Sequence, residues 1–233
     1  MNDPSIQSYI EQKNATAALP LLRHTLAKDP RWAQGWVWLG DCLLWMNKGK
    51  AAHMAYERAW ILDPQASWVA WVMQLVMTTP AGRVPTWLPT LLKMPPVTVT
   101  GAMIAKNAAA TIGKALQALR PAVDELVVVD TGSDDDTVAI ARSLGAIVVM
   151  HPWQQDFAAA RNAALPQCTK DWVLWVDADE YLEATDSAVP RLIAGLFDQV
   201  APAHWVRIVQ VNDLGDHVEP NYDLTRMFRY LPH

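Results

Sequence analysis

The chain has 233 residues, 52% of them hydrophobic, enough to bury one sizeable core or two small ones. Its net charge of −5 is unevenly spread: residues 1–94 carry nine Lys/Arg against six Asp/Glu, and residues 95–233 carry ten against eighteen. The acidic second part excludes unaided nucleic-acid binding, which neutralises phosphates with Lys and Arg, and suits a site that recruits a cation first and a phosphate second.

Cys42 and Cys168 stand in unrelated contexts, so neither a disulfide framework nor a thiolate metal site is indicated. Cys42 falls in an apolar helical pattern and reads as a small core residue. Met1-Asn2-Asp3-Pro4-Ser5 lacks the basic start and apolar stretch of a signal peptide. The most apolar segment, Trp60 to Met77, is broken by Asp63, Pro64 and Gln65, too soon for a transmembrane span. A soluble, cytoplasmic protein is expected. Of the twelve Trp residues, eight precede residue 95, as in a helical module packed on large aromatics.

Ala18, Leu22 and Pro30 recur as Ala52, Tyr56 and Pro64, each 34 positions on. A period of 34 belongs to helix–turn–helix repeats. Trp36, Leu39, Gly40, Leu43, Ala52, Tyr56, Ala59 and Pro64 fall where such a unit places large and small residues and its terminating proline. Gly40 and Ala52 let two antiparallel helices approach, and Pro64 ends the second. Residues 17–66 thus resemble the tetratricopeptide (TPR) family, which implies a concave face holding a peptide or protein; a plain packing or dimerisation module is the alternative. A third helix pair, Ser67–Met77 and Thr86–Leu92, is expected despite the interruption at Thr79-Pro80-Ala81-Gly82, as a cap for the stack. Met94-Pro95-Pro96 marks the seam between an all-α domain, residues 1–94, and a second domain, residues 97–233.

From Val97 the pattern alternates. Strands are expected at Val97–Ala105, Glu125–Val129, Ala146–Met150 and Trp172–Val176. Helices are expected at Asn107–Leu119, Asp135–Leu144 (terminated by Gly145) and Asp156–Leu165. Such alternation makes an α/β fold with a mostly parallel sheet, whose ligands bind at the carboxyl ends of the strands. Met103–Asn107, Asp130–Asp134 and Asp177-Ala178-Asp179 all follow strands. The Gly-rich dinucleotide and P-loop patterns are absent. Ser133-x-x-Asp136 matches a helix capping box. Asp130 ends a Val-Val-Val strand, where a charge needs a ligand, a donor or water. Asp177 and Asp179, taken as extended backbone, point the same way and are placed to share one Mg²⁺ or Mn²⁺ held by a phosphorylated substrate. A turn- or helix-capping Asp is the structural alternative.

The segments VTGAMIAKN (99–107), ELVVVDTGSDDDTVAIARSLGA (125–146), DFAAARNAAL (156–165) and DWVLWVDADEYL (171–182) occur in the order and spacing of family 2 glycosyltransferases. The resemblance is closest to a bacterial branch often joined to TPR repeats. It implies the GT-A, Rossmann-like fold and a nucleotide-sugar donor, a UDP-sugar. Asp130 would accept from the uracil N3–H, and backbone around Ala102, Met103 and Ile104 would line the base. Arg161 would lie by the base and diphosphate. Asp177 would contact the ribose, and Asp179, within the Asp177-Ala178-Asp179 (DXD) motif, would ligate the Mn²⁺ or Mg²⁺ that Asp177 borders.

The same resemblance implies inverting displacement at the anomeric carbon. Its base and acceptor half would follow the strand ending Arg226-Met227-Phe228-Arg229, so the base is expected beyond His233 and the catalytic residue within the chain is unknown. The final strands are expected at His204–Val211 and Leu224–Tyr230, with Asp213, Asp216 and His217 in a polar loop unsuited to replace the base. Ala108 stands where relatives often carry Glu. Asp156 is expected to cap its helix, and Lys106 and His151 to be solvated or structural. Two rivals remain: a non-catalytic TPR scaffold with a nucleotide-sugar-binding domain, and a nucleotidyltransferase, which usually opens on a Gly-rich basic loop that AMIAKNAAAT is not.

Overall fold

A computed structural model of the chain describes residues 4–64, 66–198, 205–207, 210–213, 218–221 and 225–230. The backbone divides into two compact units, residues 1–94 and 95–233.

The first unit is helical: α1 (Pro4–Glu11), α2 (Ala15–Lys28), α3 (Ala33–Trp45), α4 (Gly49–Leu62), α5 (Val69–Thr78) and α6 (Trp87–Leu92). The sequence reading missed α1, which buries only Ile6. Three residues join α3 to α4, too few for anything but an antiparallel hairpin. Gly40 makes that hairpin close, since a Cβ there would sit 2.4 Å from the Tyr56 ring. The Tyr56 hydroxyl then donates to Asp41 Oδ1 at 2.6 Å. Leu22, Leu26, Trp36, Leu39 and Leu43 complete a core with no exposed surface.

The Thr79–Gly82 interruption turns out to be a cap. The first amides of α4, Gly49 N and Lys50 N, donate to the Pro80 and Ala81 carbonyls at 2.8 and 2.9 Å, satisfying orphan donors that the Lys48 side chain leaves unmet. The expected third helix pair exists, but α6 packs on α2, where the Arg23 guanidinium lies 4.5 Å from the centre of the Trp87 ring. Arg58, 4% exposed, donates to the Leu92 carbonyl at 2.7 Å and lies over Trp36. Burial pulls its guanidinium down to about 10.

The second unit runs β1 (Val99–Ala105), α7 (Ile112–Leu119), β2 (Glu125–Asp130), α8 (Thr137–Ser143), β3 (Ile147–Met150), α9 (Phe157–Ala164), β4 (Trp172–Trp175), α10 (Val189–Phe197), β5 (Trp205–Arg207), β6 (Gln210–Asp213), β7 (Val218–Asn221) and β8 (Thr225–Arg229). Six strands form one sheet in the order β3-β2-β1-β4-β8-β5. The first four are parallel, as alternation requires, and β8 runs antiparallel to both β4 and β5. This is a mixed α/β fold with a Rossmann-like parallel sheet. Trp172–Trp175 are buried throughout, matching the uncharged run that predicted a strand covered on both faces.

Two carboxylates fix the start of the central strand. Asp124 Oδ2 accepts from Val99 N at 2.8 Å, and Asp171 Oδ2 accepts from Thr98 N at 2.9 Å and from the Thr98 hydroxyl.

Several boundaries differ from expectation. The helix expected from Asn107 begins at Ile112, because Asn107 takes φ 50° and residues 107–109 bond to the neighbouring loop instead. The strand expected at 204–211 appears as β5 and β6, with residues 204, 208 and 209 outside the described set. Asp213, expected in a loop, ends β6 opposite Val218 in a two-stranded antiparallel sheet. Asp216, His217 and Leu224 lie outside the described residues.

Candidate functional site

The strand order places a switch point between β1 and β4. Successive strands leave β1 toward β3 on one side, and β4 adds on the other; such a crevice is where open α/β sheets bind ligands. The ladders show how it opens. β1 pairs with β2 through Ala105–Asp130, but with β4 only through Ala102–Trp175. One further bond, Val176 N to the Ala102 carbonyl at 3.0 Å, closes that side. Beyond it the two chains separate.

This geometry encloses most of the expected base-lining segment in the sheet. Ala102 is paired on both edges and has no exposed surface, and the Met103 side chain is 1% exposed. Of the three, Ile104 alone keeps some surface, on the face it shares with Trp175 and α9.

Asp130 finds donors at once. It is fully buried; its Oδ1 accepts from Gly132 N and Ser133 N at 3.0 Å each, and its Oδ2 accepts from the Ser133 hydroxyl. Full burial removes it from direct contact with a base in this conformation. Its carboxylate instead shapes the turn at residues 130–133, where Gly132 takes φ 106°. The expected capping box is also corrected. Asp136 is the N-cap of α8 but makes no side-chain cap bond, while Ser133 Oγ serves Asp130 and accepts from Asn107 N at 2.9 Å.

Asp135 does the capping work. Its Oδ1 accepts from Thr137 N at 2.9 Å and from the Thr137 hydroxyl, and its Oδ2 from Ala109 N at 3.0 Å. The Thr137 hydroxyl bond leads the causes that hold this carboxyl below the usual carboxylate range. Together with Asp134 N donating to Asn107 Oδ1 at 2.9 Å, these bonds lace the loops after β1 and β2 into one wall.

The carboxylate pair after β4 is not on extended backbone. β4 stops at Trp175, and Glu180 N donates to the Asp177 carbonyl at 3.1 Å, so Asp177-Ala178-Asp179-Glu180 is a hydrogen-bonded turn. The i, i+2 argument for two parallel side chains therefore fails: Ala178 and Asp179 occupy the turn's centre. Asp179 is exposed, whereas Asp177 Oδ2 lies 3.2 Å from Arg226 Nη1. The same guanidinium reaches Glu180 Oε1 at 2.7 Å, and Glu180 Oε2 accepts from Asp177 N at 3.1 Å.

The sequence reading overlooked Arg226 and Glu180. A charge inside the otherwise apolar pattern Arg226-Met227-Phe228 was the available signal, since a strand buried beside β4 tolerates a guanidinium only against carboxylates.

Arg161 on α9 reaches the end of β4, its guanidinium 5.7 Å from the centre of the Trp175 ring and its buried Nε without a hydrogen-bond partner. Asp156 caps α9 through bonds from Ala158 N and Ala159 N at 2.8 and 3.1 Å. Lys106 is exposed, and His151 N donates to the Asp130 carbonyl at 2.8 Å, continuing the β2–β3 ladder.

Hard oxygen ligands on an exposed turn fit Mg²⁺ or Mn²⁺. Among the described residues no three His, Cys, Asp or Glu side chains converge on one point. A hollow on the second unit, lined by Leu116, Arg120, Leu144 and Gly145, lies at the C-terminal ends of α7 and α8. It is therefore at the opposite edge of the sheet. No helix among the described residues is long and apolar enough to cross a membrane.

Residues 102–231 match the family described as Glycosyl transferase family 2. The chain is 44% identical over 84 residues to an uncharacterized glycosyltransferase of Rickettsia felis, a match covering 36% of this chain and 29% of the relative. It is 46% identical over 80 residues to a TPR repeat-containing protein of Synechococcus elongatus, covering 34% and 20%. These matches span less than a third of either relative's length. Among solved structures, glucosyl-3-phosphoglycerate synthase from Mycobacterium tuberculosis in complex with UDP is similar with 32% identity and a TM-score of 0.33, over 36% of this chain and 34% of that one.

Proposed function

The chain belongs to glycosyl transferase family 2, and from that premise we propose that it carries the donor half of a metal-dependent, inverting transfer of a sugar from a UDP-sugar. One observation carries the reading: the exposed Asp179 lies in the turn that follows β4, and the half-sheltered Arg161 guanidinium lies against Trp175, the last residue of that strand, beside the switch point. A carboxylate and a guanidinium after the same strand are what a cation–diphosphate pair requires.

In this proposal Asp179 ligates the metal, and Asp177 borders it from the turn's first position, toward the ribose. Arg161, stacked on Trp175, offers its fork to the diphosphate, and its unpartnered Nε is a donor with nothing else to satisfy it. The uracil lies against the laced wall of residues 106–111 and 130–137. Asp130 acts through the shape of its turn rather than by touching the base, with Ile104 supplying the apolar floor. Bound at Asp179, Mn²⁺ or Mg²⁺ would neutralise charge on the departing UDP, a contribution of several kcal/mol in comparable sites. Inversion requires a base that deprotonates the acceptor; none of the residues named here is assigned that role.

The helical unit is proposed as a TPR module that holds an acceptor peptide or a protein partner. The 34-residue recurrence, the Gly40–Tyr56 approach and the name of the Synechococcus relative support it. Calorimetric titration with UDP, with and without Mn²⁺, tests the site. Asp179→Ala is expected to abolish the metal-dependent part of binding, and a wild-type UDP affinity that Mn²⁺ does not change would refute the role of Asp179. Sugar release from UDP-sugars separates an enzyme from a binding scaffold, and pyrophosphate release would favour a nucleotidyltransferase.

A further inference from the structure

Arg226 lies on β8, one residue before Met227, which pairs with Leu174 of β4. Its side chain is 6% exposed, yet it carries a charge at the carboxyl end of the sheet. The planar fork bridges the first and fourth residues of the acidic turn, with Nη1 3.2 Å from Asp177 Oδ2 and Nη2 2.7 Å from Glu180 Oε1. Those two residues are themselves tied twice, Glu180 N to the Asp177 carbonyl and Asp177 N to Glu180 Oε2, both at 3.1 Å. The result links three side chains across one turn, with a hydrogen bond from Nη2 to Glu180 and an ion pair from Nη1 to Asp177. Only the two central residues, Ala178 and Asp179, stand outside it.

We propose that Arg226 is a positioning residue, a clamp reaching from the antiparallel strand β8 that fixes the shape of the metal-binding turn and commits Asp177 to itself, leaving Asp179 as the turn's metal ligand. The inference rests on the metal reading of Asp179 given above. A buried guanidinium is tolerated because two carboxylates face it, and losing one arm leaves charge uncompensated. Arginine suits the task because a rigid fork spans two acceptors at once, whereas the lysine ammonium is a point donor. The clamp also explains why metal and nucleotide should bind together. With Asp177 committed to the clamp, Asp179 is the one carboxylate this turn holds out to a metal, and the diphosphate supplies further ligands.

The test is calorimetry on the full chain with UDP in excess and Mn²⁺ varied, comparing wild type with Arg226→Met, Arg226→Lys and Glu180→Gln. The expected result for Arg226→Met is a half-saturating Mn²⁺ concentration raised about tenfold or more, equivalent to ~1.4 kcal/mol, while metal-free UDP binding stays unchanged. Arg226→Lys should fall between wild type and Arg226→Met. A merely structural arginine would lower the melting temperature without moving the Mn²⁺ midpoint, and a midpoint for Arg226→Met within about twofold of wild type overturns the clamp. If Arg226→Met does not fold, Glu180→Gln decides: it breaks one arm only, an increase of about threefold is expected, and no change overturns the proposal. Wild type lacking any Mn²⁺-dependent UDP binding defeats the metal reading and the clamp with it. Wild-type dependence that the variants leave untouched defeats the clamp alone.

Discussion

Replacing Asp130 with Ala separates two roles for a strand-end carboxylate, holding a turn or touching a ligand. The substitution strips acceptors from Gly132 N, Ser133 N and the Ser133 hydroxyl. A hydrogen bond to a charged group contributes ~1.5–3 kcal/mol, but the three share one carboxylate and are not additive. Gly132 is exposed, so water takes over its amide, and removing a buried charge also relieves desolvation. The net expectation is a loss of ~2–4 kcal/mol from the second unit, or a melting temperature lower by ~6–15 °C at the size of that unit.

Asp130→Asn keeps an acceptor for both amides and needs only the Ser133 hydroxyl to turn round, so ~1 kcal/mol is expected. Differential scanning calorimetry of the full chain reads both variants, with the helical unit's transition as an internal control. An Ala variant that loses less than ~1 kcal/mol yet no longer binds UDP would refute the structural role, because the carboxylate would then be serving the ligand.

Acid should weaken the second unit through its amino edge. Bonds from the Thr98 hydroxyl and amide hold the Asp171 carboxyl below its usual range. Glu125 is also held low: partial burial works in the other direction, but the bonds from Thr169 and Thr100 outweigh it. Both pKa values are depressed on folding, so this stability is present above the ordinary carboxylate pKa of ~4 and is lost as pH falls through the lower folded values. Asp171→Asn should flatten the melting temperature against pH below ~5, and an unchanged slope would contradict the assignment.

Gly40→Ala places a Cβ 2.4 Å from a ring anchored to Asp41, and overpacking of that kind should cost the helical unit ~1–3 kcal/mol, visible in urea unfolding. Both thiols are pushed up to about 12 by burial, with Asp41 adding to the effect at Cys42 and Glu125 at Cys168. An aromatic disulfide reagent near neutral pH should therefore react only after denaturation, and fast native labelling would show one of them to be accessible.

Periodicity in the sequence was enough to divide the chain into a helical part and an alternating part, because burial of one helix stripe or of both strand faces leaves its mark on every third, fourth or second residue. Gly40 announced a close helix pair, Gly145 (φ 77°) the end of α8, and Asp156 the start of α9, since each effect is confined to one turn of chain. Local pattern misjudged everything that depends on a partner distant in sequence. Ser133 left its expected capping box because its hydroxyl donates to Asp130 and accepts from Asn107 N. The Thr79–Gly82 break proved to be the cap of a helix that begins thirty residues earlier. Most of all, spacing alone left the two aspartates after β4 alike, and only the family resemblance gave them separate roles. Antiparallel β8 made them different, since the sheet alone brings the Arg226 guanidinium to Asp177 and leaves Asp179 in solvent. Which carboxylate a cation meets is set by the field of its neighbours, and those neighbours are assembled only when the strands pair.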